Sequence, residues 1–217
     1  MKKLMLFILL SIAIQARAND TSYYAVIRNS LELAEQEYSI ITFQNLANTC
    51  DRIITMREKE WLPVYYRAYA YVNMAYMTDD EEEKDRLLDN AQASADAAYK
   101  LNPGESENQL LFALICYGRM EINPMFRATI YYPKANAALE KAKELNVKNP
   151  RIYYLEGKST TYKPAFMGGG PEAALPIIEK ALQYYKEFVA PYDIFPQWGE
   201  ESTIELYQDC KEGIKEN

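Results

Sequence analysis

Two stretches of this chain, AYKLNPGESENQLLFA at 98–113 and AKELNVKNPRIYYLEG at 142–157, align with each other without a gap. A second internal match joins LEKAKEL at 139–145 to IEKALQY at 178–184. Both place small and apolar side chains three and four residues apart, which is the spacing of one face of an α-helix. Helix pairs that recur every 34 to 45 residues or so are typical of an α-solenoid, whose units bury their cores by stacking. The sequence therefore predicts an all-α repeat fold.

The second helix of each predicted unit carries a triplet in which a small residue is followed by an apolar residue and then by another small one. The triplets are Ala91, Ala95 and Ala98; Ala135, Leu139 and Ala142; and Ala174, Ile178 and Ala181. Small residues let two helices approach closely, and a larger residue fills the gap between their ridges. The first helix of a unit has an aromatic residue followed four positions later by Gly or Ala. Tyr66 with Ala70 and Tyr153 with Gly157 meet this pattern, and Gln109 with Ala113 meets half of it.

On these residues the chain resembles the tetratricopeptide repeat (TPR) family. The resemblance covers 46–188 and extends to 21–56 as a degenerate first unit. It implies a right-handed solenoid of antiparallel helix pairs, each made of a helix A and a helix B. The chain departs from the family between A and B, where each unit has roughly five to ten additional residues. We therefore expect enlarged turns at MTDDEEEKD, MEINPMFRATIYY and TTYKPAFMGGG.

The first residues, MKKLMLFILLSIAIQARAND, have the form of a secretory signal. Two lysines precede an apolar run of about eleven residues, shorter than the roughly 20 that span a bilayer, and Ala16-Arg17-Ala18 offers a small-residue cleavage site. We predict cleavage after Ala18 and a periplasmic or secreted mature chain without a membrane span. An uncleaved membrane anchor is the alternative. The predicted divisions are a signal at 1–18, a TPR-like repeat domain at 19–188, and a Pro-rich turn with a C-terminal capping helix at 189–217.

The last division begins with VAPYDIFPQWG at 189–199, whose two prolines predict an extended or turn-rich course. A final helix is predicted from about Glu200, with Ile204, Tyr207, Cys210 and Ile214 on its one apolar face. Such a one-sided helix would cover the exposed end of the solenoid core. Trp198 is expected to pack beneath this cap, and an exposed Trp that anchors a partner is the alternative.

Composition argues against several classes of function. The formal net charge is −7, and an acidic surface repels nucleic acid because nucleic-acid binding depends on neutralising phosphates. The chain has no histidine, which removes the commonest general base and metal ligand and every Ser/His or Cys/His nucleophile. We predict no catalytic residue, metal site or cofactor, and therefore no enzyme. Cys50, Cys116 and Cys210 form no CxxC motif, and a Cys50–Cys210 disulfide remains an open possibility.

The TPR resemblance also implies a concave groove lined by side chains of the A helices. The corresponding residues are Arg67, Tyr71, Met74, Leu110, Leu114, Tyr117, Arg151, Tyr154, Lys158 and Thr161. The three basic members would place positive charge in the groove, so we expect a protein or peptide partner of some acidic character in the cell envelope. Core packing is the alternative for each residue. A carrier of sugars or metabolites that assists solute uptake is the rival function, and the sequence does not indicate an oligomeric state.

The triple glycine in KPAFMGGGPEAAL, at 163–175, could suggest a phosphate-binding loop. That loop requires a Lys followed by Ser or Thr after the last glycine, and here Pro171 and an acidic residue follow instead. We therefore predict a structural turn in which Gly168, Gly169 and Gly170 reverse the chain and Pro171 begins helix B. We expect Phe166 and Met167 to plug the edge of the solenoid, and exposure of Phe166 would instead indicate an apolar contact for a partner.

Overall fold

The computed structural model describes residues 23–215, so the predicted signal at 1–18 lies outside the described residues. This part of the chain is almost entirely helical and contains no β-strand. Its α-helices are α1 (23–37), α2 (Ile40–Met56), α3 (Trp61–Met77), α4 (Glu81–Leu101), α5 (Ser106–Ile122), α6 (Pro124–Leu145), α7 (Pro150–Tyr162), α8 (Pro171–Glu187) and α9 (Glu200–Lys215). None of these helices combines the length and the apolar character that crossing a membrane requires.

Helices that are adjacent in the chain pack against one another in pairs. The most extensive contacts join α3 to α4, α5 to α6 and α7 to α8, and α9 packs mainly on α8. These three pairs are the repeat units predicted from the sequence, so the all-α solenoid with a C-terminal cap is confirmed.

The small residues of the predicted triplets lie where the paired helices meet. Ala135, Ala142, Ala174 and Ala181 are completely buried. At Gly157 an added Cβ would lie 2.7 Å from Cγ1 of Ile178, closer than real Cβ atoms come to a neighbour. The spacing of small residues therefore sets how closely helix A approaches helix B.

The additional residues between A and B are mostly helical, which corrects the prediction of enlarged turns. Only 78–80 separate α3 from α4, and Asn123 alone separates α5 from α6. The side chain of Asn123 accepts a hydrogen bond from the amide of Phe126, and Pro124 occupies the first turn of α6, where its missing N–H costs nothing. These capping residues let the helices themselves extend to the corner.

The corner between α7 and α8 is the exception, because it is a true loop with a 3₁₀ turn at Ala165–Met167. Gly168 and Gly170 have φ values of 79° and 103°, which favour glycine, and Pro171 opens α8. An added Cβ on Gly169 would lie 2.1 Å from the carbonyl oxygen of Lys163. The loop thus has the reversing turn predicted from its glycines.

Helix α9 covers the end of the stack with a face that differs in part from the predicted one. Thr203, Leu206 and Cys210 are buried, whereas Ile204 is 44% exposed. The prediction that Ile204 lies on the apolar face is therefore wrong, and Leu206 takes its place. All three cysteines are free and buried, so Cys50 and Cys210 are not joined.

Candidate functional site

The A helices form the inner row of the solenoid. Helix α3 contacts α5, and α5 contacts α7, in addition to the contacts within each pair. Aromatic side chains are concentrated on this row: the ring of Tyr69 stacks on Trp198 at a centroid distance of 5.9 Å, and Tyr154 meets Trp198 edge-on at 6.4 Å. The inner face where the groove was predicted is thus lined by aromatic side chains, and Trp198 of the same chain partly covers them.

The cover is the segment 188–199 between α8 and α9, which we call the crossing segment. The hydroxyl of Tyr66 donates to the carbonyl oxygen of Ile194 at 2.9 Å, and Nε1 of Trp198 donates to the hydroxyl of Tyr65 at 2.8 Å. Asp193 forms an ion pair with Arg28 of α1. Because Ile194 and Trp198 lie against α3, the crossing segment occupies the inner face where the groove was predicted.

A buried ion pair lies beneath the crossing segment. Arg151 of α7 and Glu107 of α5 both have completely buried side chains, and Nη2 of Arg151 lies 2.6 Å from Oε1 of Glu107. The Arg151 guanidinium also lies 4.7 Å from the ring centroid of Phe188 and 5.8 Å from that of Trp198. Burial acts to lower the pKa of Arg151, but the Glu107 carboxylate outweighs burial and raises the pKa, so the guanidinium stays charged.

This burial corrects the expectation that Arg151 presents free charge to a partner. Arg67 also differs from its expected position: its guanidinium donates to Ser94 of α4 at 3.0 Å and pairs with Asp51 of α2 at 2.7 Å. It therefore lies between two B helices, away from the inner row. An error of one residue in helical phase rotates a side chain by about 100°, which is enough to cause this displacement.

The other predicted groove residues are distributed between core and surface. Met74, Leu110 and Tyr154 are buried; Tyr71, Leu114, Tyr117 and Thr161 are half-buried; and Lys158 is exposed. The hydroxyl of Thr161 faces Sγ of Cys210 on α9 at 3.4 Å. Of the three basic residues predicted for the groove, Arg67 and Arg151 are paired with carboxylates. Within the part of the chain that the structure describes, Lys158 is exposed and has no ion pair.

Sequence reasoning missed Tyr65 and Tyr69, the residues of α3 that contact Trp198. Their four-residue spacing puts them on one helix face, and their rings are parallel with centroids 6.5 Å apart. Asn73, one turn further along, accepts a hydrogen bond from the hydroxyl of Tyr38 at 3.3 Å. The four-residue spacing of these tyrosines could have identified the inner face of α3. The sequence prediction instead assigned Arg67 to that face.

One group of exposed apolar side chains lies around the α5–α6 and α7–α8 corners, and another lies on α1, α2 and the turn between them. Phe166 is 90% exposed and Met125 is 81% exposed. The first group, which we call the corner patch, is Met125, Phe126, Ile130, Tyr162, Phe166 and Met167. The expectation that Phe166 and Met167 plug the solenoid is wrong, because the glycine turn holds the backbone of this loop while both side chains point into solvent.

The two halves of the corner patch lie at the same edge of the molecule, since successive A–B corners of a solenoid stack on one side. Tyr117 of α5 marks where the two pairs meet. Its hydroxyl lies beside Tyr132 of α6 and Ser159 of α7, and burial raises the pKa of Tyr117 to about 12. The part of α6 around Tyr132 and the last turn of α7 at Ser159 therefore lie on either side of Tyr117.

Three lysines near this edge, Lys134, Lys158 and Lys163, form no ion pair within the described residues. Lys134 lies over the ring of Tyr131, 5.3 Å from its centroid. Neighbouring cations are neutralised, as where Arg127 pairs with Asp85 at 2.6 Å. The corner patch therefore has unpaired positive charge at its rim, although the chain as a whole is acidic.

Comparison with solved structures identifies the family. The HusA haemophore from Porphyromonas gingivalis is 30% identical in sequence, with a TM-score of 0.78, and the match covers 88% of this chain and 93% of that one. The chain belongs to the HusA family. A thermophilic TPR protein from Thermus thermophilus matches this HusA-family chain with a TM-score of 0.56 and 18% identity, over 89% of this chain and 80% of that protein, and shows the same TPR-like fold.

Neither protein-family models nor curated proteins gave a match. The predicted TPR resemblance is nevertheless confirmed by the two solved structures, and the fold is that of a binding scaffold.

Proposed function

We propose that this chain binds a porphyrin such as haem outside the cytoplasm. The observation that supports the proposal is its 30% identity with a haemophore along nearly the whole of both chains. The location depends on the predicted signal at 1–18 and cleavage after Ala18. The chain's nineteen tyrosines suit a flat aromatic ligand, because aromatic rings stack on such planes.

The composition limits how such a ligand could be held. The chain has no histidine, and all three cysteines are buried. Any protein ligand to a bound haem iron would therefore come from a tyrosine, methionine or lysine, of which tyrosine and methionine have precedent as axial ligands. We accordingly expect apolar and aromatic contact with the ring to supply much of the affinity.

A titration of the purified mature chain with haem tests the proposal. We expect a saturable change in the Soret absorbance and a rise in the melting temperature, because a ligand that binds only the folded state adds about 2.7 kcal/mol of stability at 100 times its Kd. Metal-free protoporphyrin should also bind, more weakly if the iron is ligated. An unrelated acidic helical protein is the control, and absence of a saturable signal relative to it would refute the proposal.

The second candidate is a protein or peptide partner in the cell envelope. The TPR-like fold supports it, since such folds serve as interaction scaffolds. A peptide entering the inner face would have to displace Ile194 and Trp198, both of which pack on α3. Cross-linking of the tagged chain in its own envelope would identify such a partner, and a thermal-shift screen would reveal a sugar or metabolite ligand instead.

A further inference from the structure

We infer that the corner patch is the surface on which the porphyrin docks, an inference that rests on the proposed function. A porphyrin such as haem has a flat apolar ring with carboxylates at one edge. A surface that binds it needs exposed apolar side chains with positive charge beside them. The corner patch has both features within the described residues.

The apolar side chains of the corner patch are exposed to water. Monomeric proteins rarely leave large contiguous apolar patches in water unless the patch has a partner. Phe166 and Met167 extend from a loop whose backbone is held by hydrogen bonds from the amides of Gly169 and Gly170 to the carbonyl oxygens of Pro164 and Thr160, at 3.2 and 2.9 Å, so little ordering of the chain would be needed on binding. Covering such side chains on binding stabilises the complex in proportion to the apolar area removed from water.

Lysines without an ion pair among the described residues accompany the exposed apolar side chains of the corner patch. Lys134, Lys158 and Lys163 have no carboxylate partner in the part of the chain that the structure describes. Positive groups beside an apolar surface attract a ligand that carries carboxylates and orient it. Lys158 and Lys163 lie four residues before and one residue after Tyr162, and Lys134 lies four residues after Ile130, so positive charge accompanies the patch on a chain of net charge −7.

The clefts beside the crossing segment are less suitable because they are lined by carboxylates. One, of about 380 Å³, has Glu105 and Glu187 in its wall, and its Lys148 is already paired with Glu187. The other, of about 220 Å³, has Glu32 and Glu35, and its Arg28 is already paired with Asp193. These side chains would repel a dianionic porphyrin, so the inner face offers a worse site than the corner patch.

Truncation of the aromatic side chains tests the inference directly. The double variant Phe126→Ala/Phe166→Ala should weaken both haem and metal-free protoporphyrin binding by about tenfold or more, as truncation of aromatic anchors commonly does. Both side chains are exposed, so the melting temperature of the ligand-free variant should match the wild type. The matched control is Ile41→Ala/Met56→Ala, which removes exposed apolar groups from α2 and should leave the affinity unchanged.

Charge reversal gives a second, independent readout. Lys158→Glu/Lys163→Glu should weaken porphyrin binding several-fold at low salt. The difference from wild type should shrink at about 1 M salt, where the Debye length is roughly 3 Å. A loss of affinity that does not depend on salt would contradict the role of these lysines in pairing with ligand carboxylates.

The outcomes separate this inference from the proposed function. If the wild type binds porphyrin and both corner-patch variants bind it equally well, the docking site is wrong while the function stands. If the wild type binds no porphyrin, both are wrong. If the corner-patch variants lose sedimentation with vesicles of anionic phosphatidylglycerol but keep their porphyrin affinity, the patch contacts membranes and the inference is overturned.

Discussion

At the scale of single residues, the Glu107–Arg151 pair connects two neighbouring repeat units, through α5 of one and α7 of the other. The carboxylate also accepts a hydrogen bond from Nδ2 of Asn149 at 2.5 Å, and the Tyr65 hydroxyl lies 3.4 Å from it. Moving two charges from water into a protein interior is costly, and only good geometry and further hydrogen bonds repay it. Such a pair fixes the register of α5 on α7 more than it adds stability.

A double-mutant cycle tests this view. Arg151→Met or Glu107→Leu alone should lower the free energy of unfolding by about 3 to 5 kcal/mol, because each leaves an uncompensated buried charge. The double variant should be much less destabilised than the sum of the two. Urea unfolding followed by circular dichroism measures all four proteins.

The exposed pair of Arg86 and Glu83 serves as a control for this cycle, and Arg86→Met should leave the urea midpoint nearly unchanged. Strictly additive losses for Glu107 and Arg151 would show that the two charges do not depend on each other.

At the scale of elements, the crossing segment links the end of the solenoid to its first half. Trp198 donates to Tyr65 of α3, while Tyr185 of α8 donates to the carbonyl oxygen of Trp198 at 3.1 Å. Pro191 and Pro196 have no N–H groups, so this turn-rich segment has fewer backbone donors to satisfy. One half-buried residue, Trp198, therefore contacts three helices, α3, α7 and α8.

Two substitutions of Trp198 separate its ring contacts from its hydrogen bond. Trp198→Ala should destabilise the fold by roughly 2 to 4 kcal/mol, since truncation removes packing on Tyr69 and Tyr154. Trp198→Phe keeps a ring and should cost about 1 kcal/mol, mostly for the lost Nε1 donor. Urea unfolding and near-ultraviolet circular dichroism report both changes. Val189→Ala, at an exposed position of the same segment, is the control, and equal midpoints for Ala and Phe at 198 would exclude an energetic role for the ring.

At the scale of the whole molecule, the helix pairs and their buried faces could be predicted, because they follow from the spacing of residues within each helix. The triplet Ala174, Ile178 and Ala181 fixes which helix face is buried, because no other face offers small residues at that spacing. The path of the crossing segment was not predictable, since it depends on contacts such as Tyr66 with Ile194, 128 positions apart. The exposure of Phe166 was missed for a related reason: an apolar side chain on a loop carries no periodic pattern that shows where it points.

The same aromatic interior should make the whole molecule sensitive to alkaline pH. The side chains of Tyr65, Tyr66 and Tyr69 are buried, and burial raises the pKa of each hydroxyl well above its ordinary value of about 10. The folded state therefore holds these protons more tightly than the unfolded state does. Their contribution is fully present below about pH 10 and is lost as the pH rises further, because only the unfolded chain releases the protons.

We expect the urea midpoint to be steady up to about pH 10 and then to fall, with each buried tyrosine contributing up to about 1.4 kcal/mol per pH unit. Tyr69→Phe should make the loss of stability per pH unit smaller by about the contribution of one buried tyrosine. The chain is acidic, so growing repulsion among its charges also acts at high pH. Measurement at about 1 M salt separates the two effects, since salt screens repulsion between surface charges and acts little on a buried hydroxyl. If high salt abolished the alkaline loss, surface repulsion rather than the buried tyrosines would be its cause.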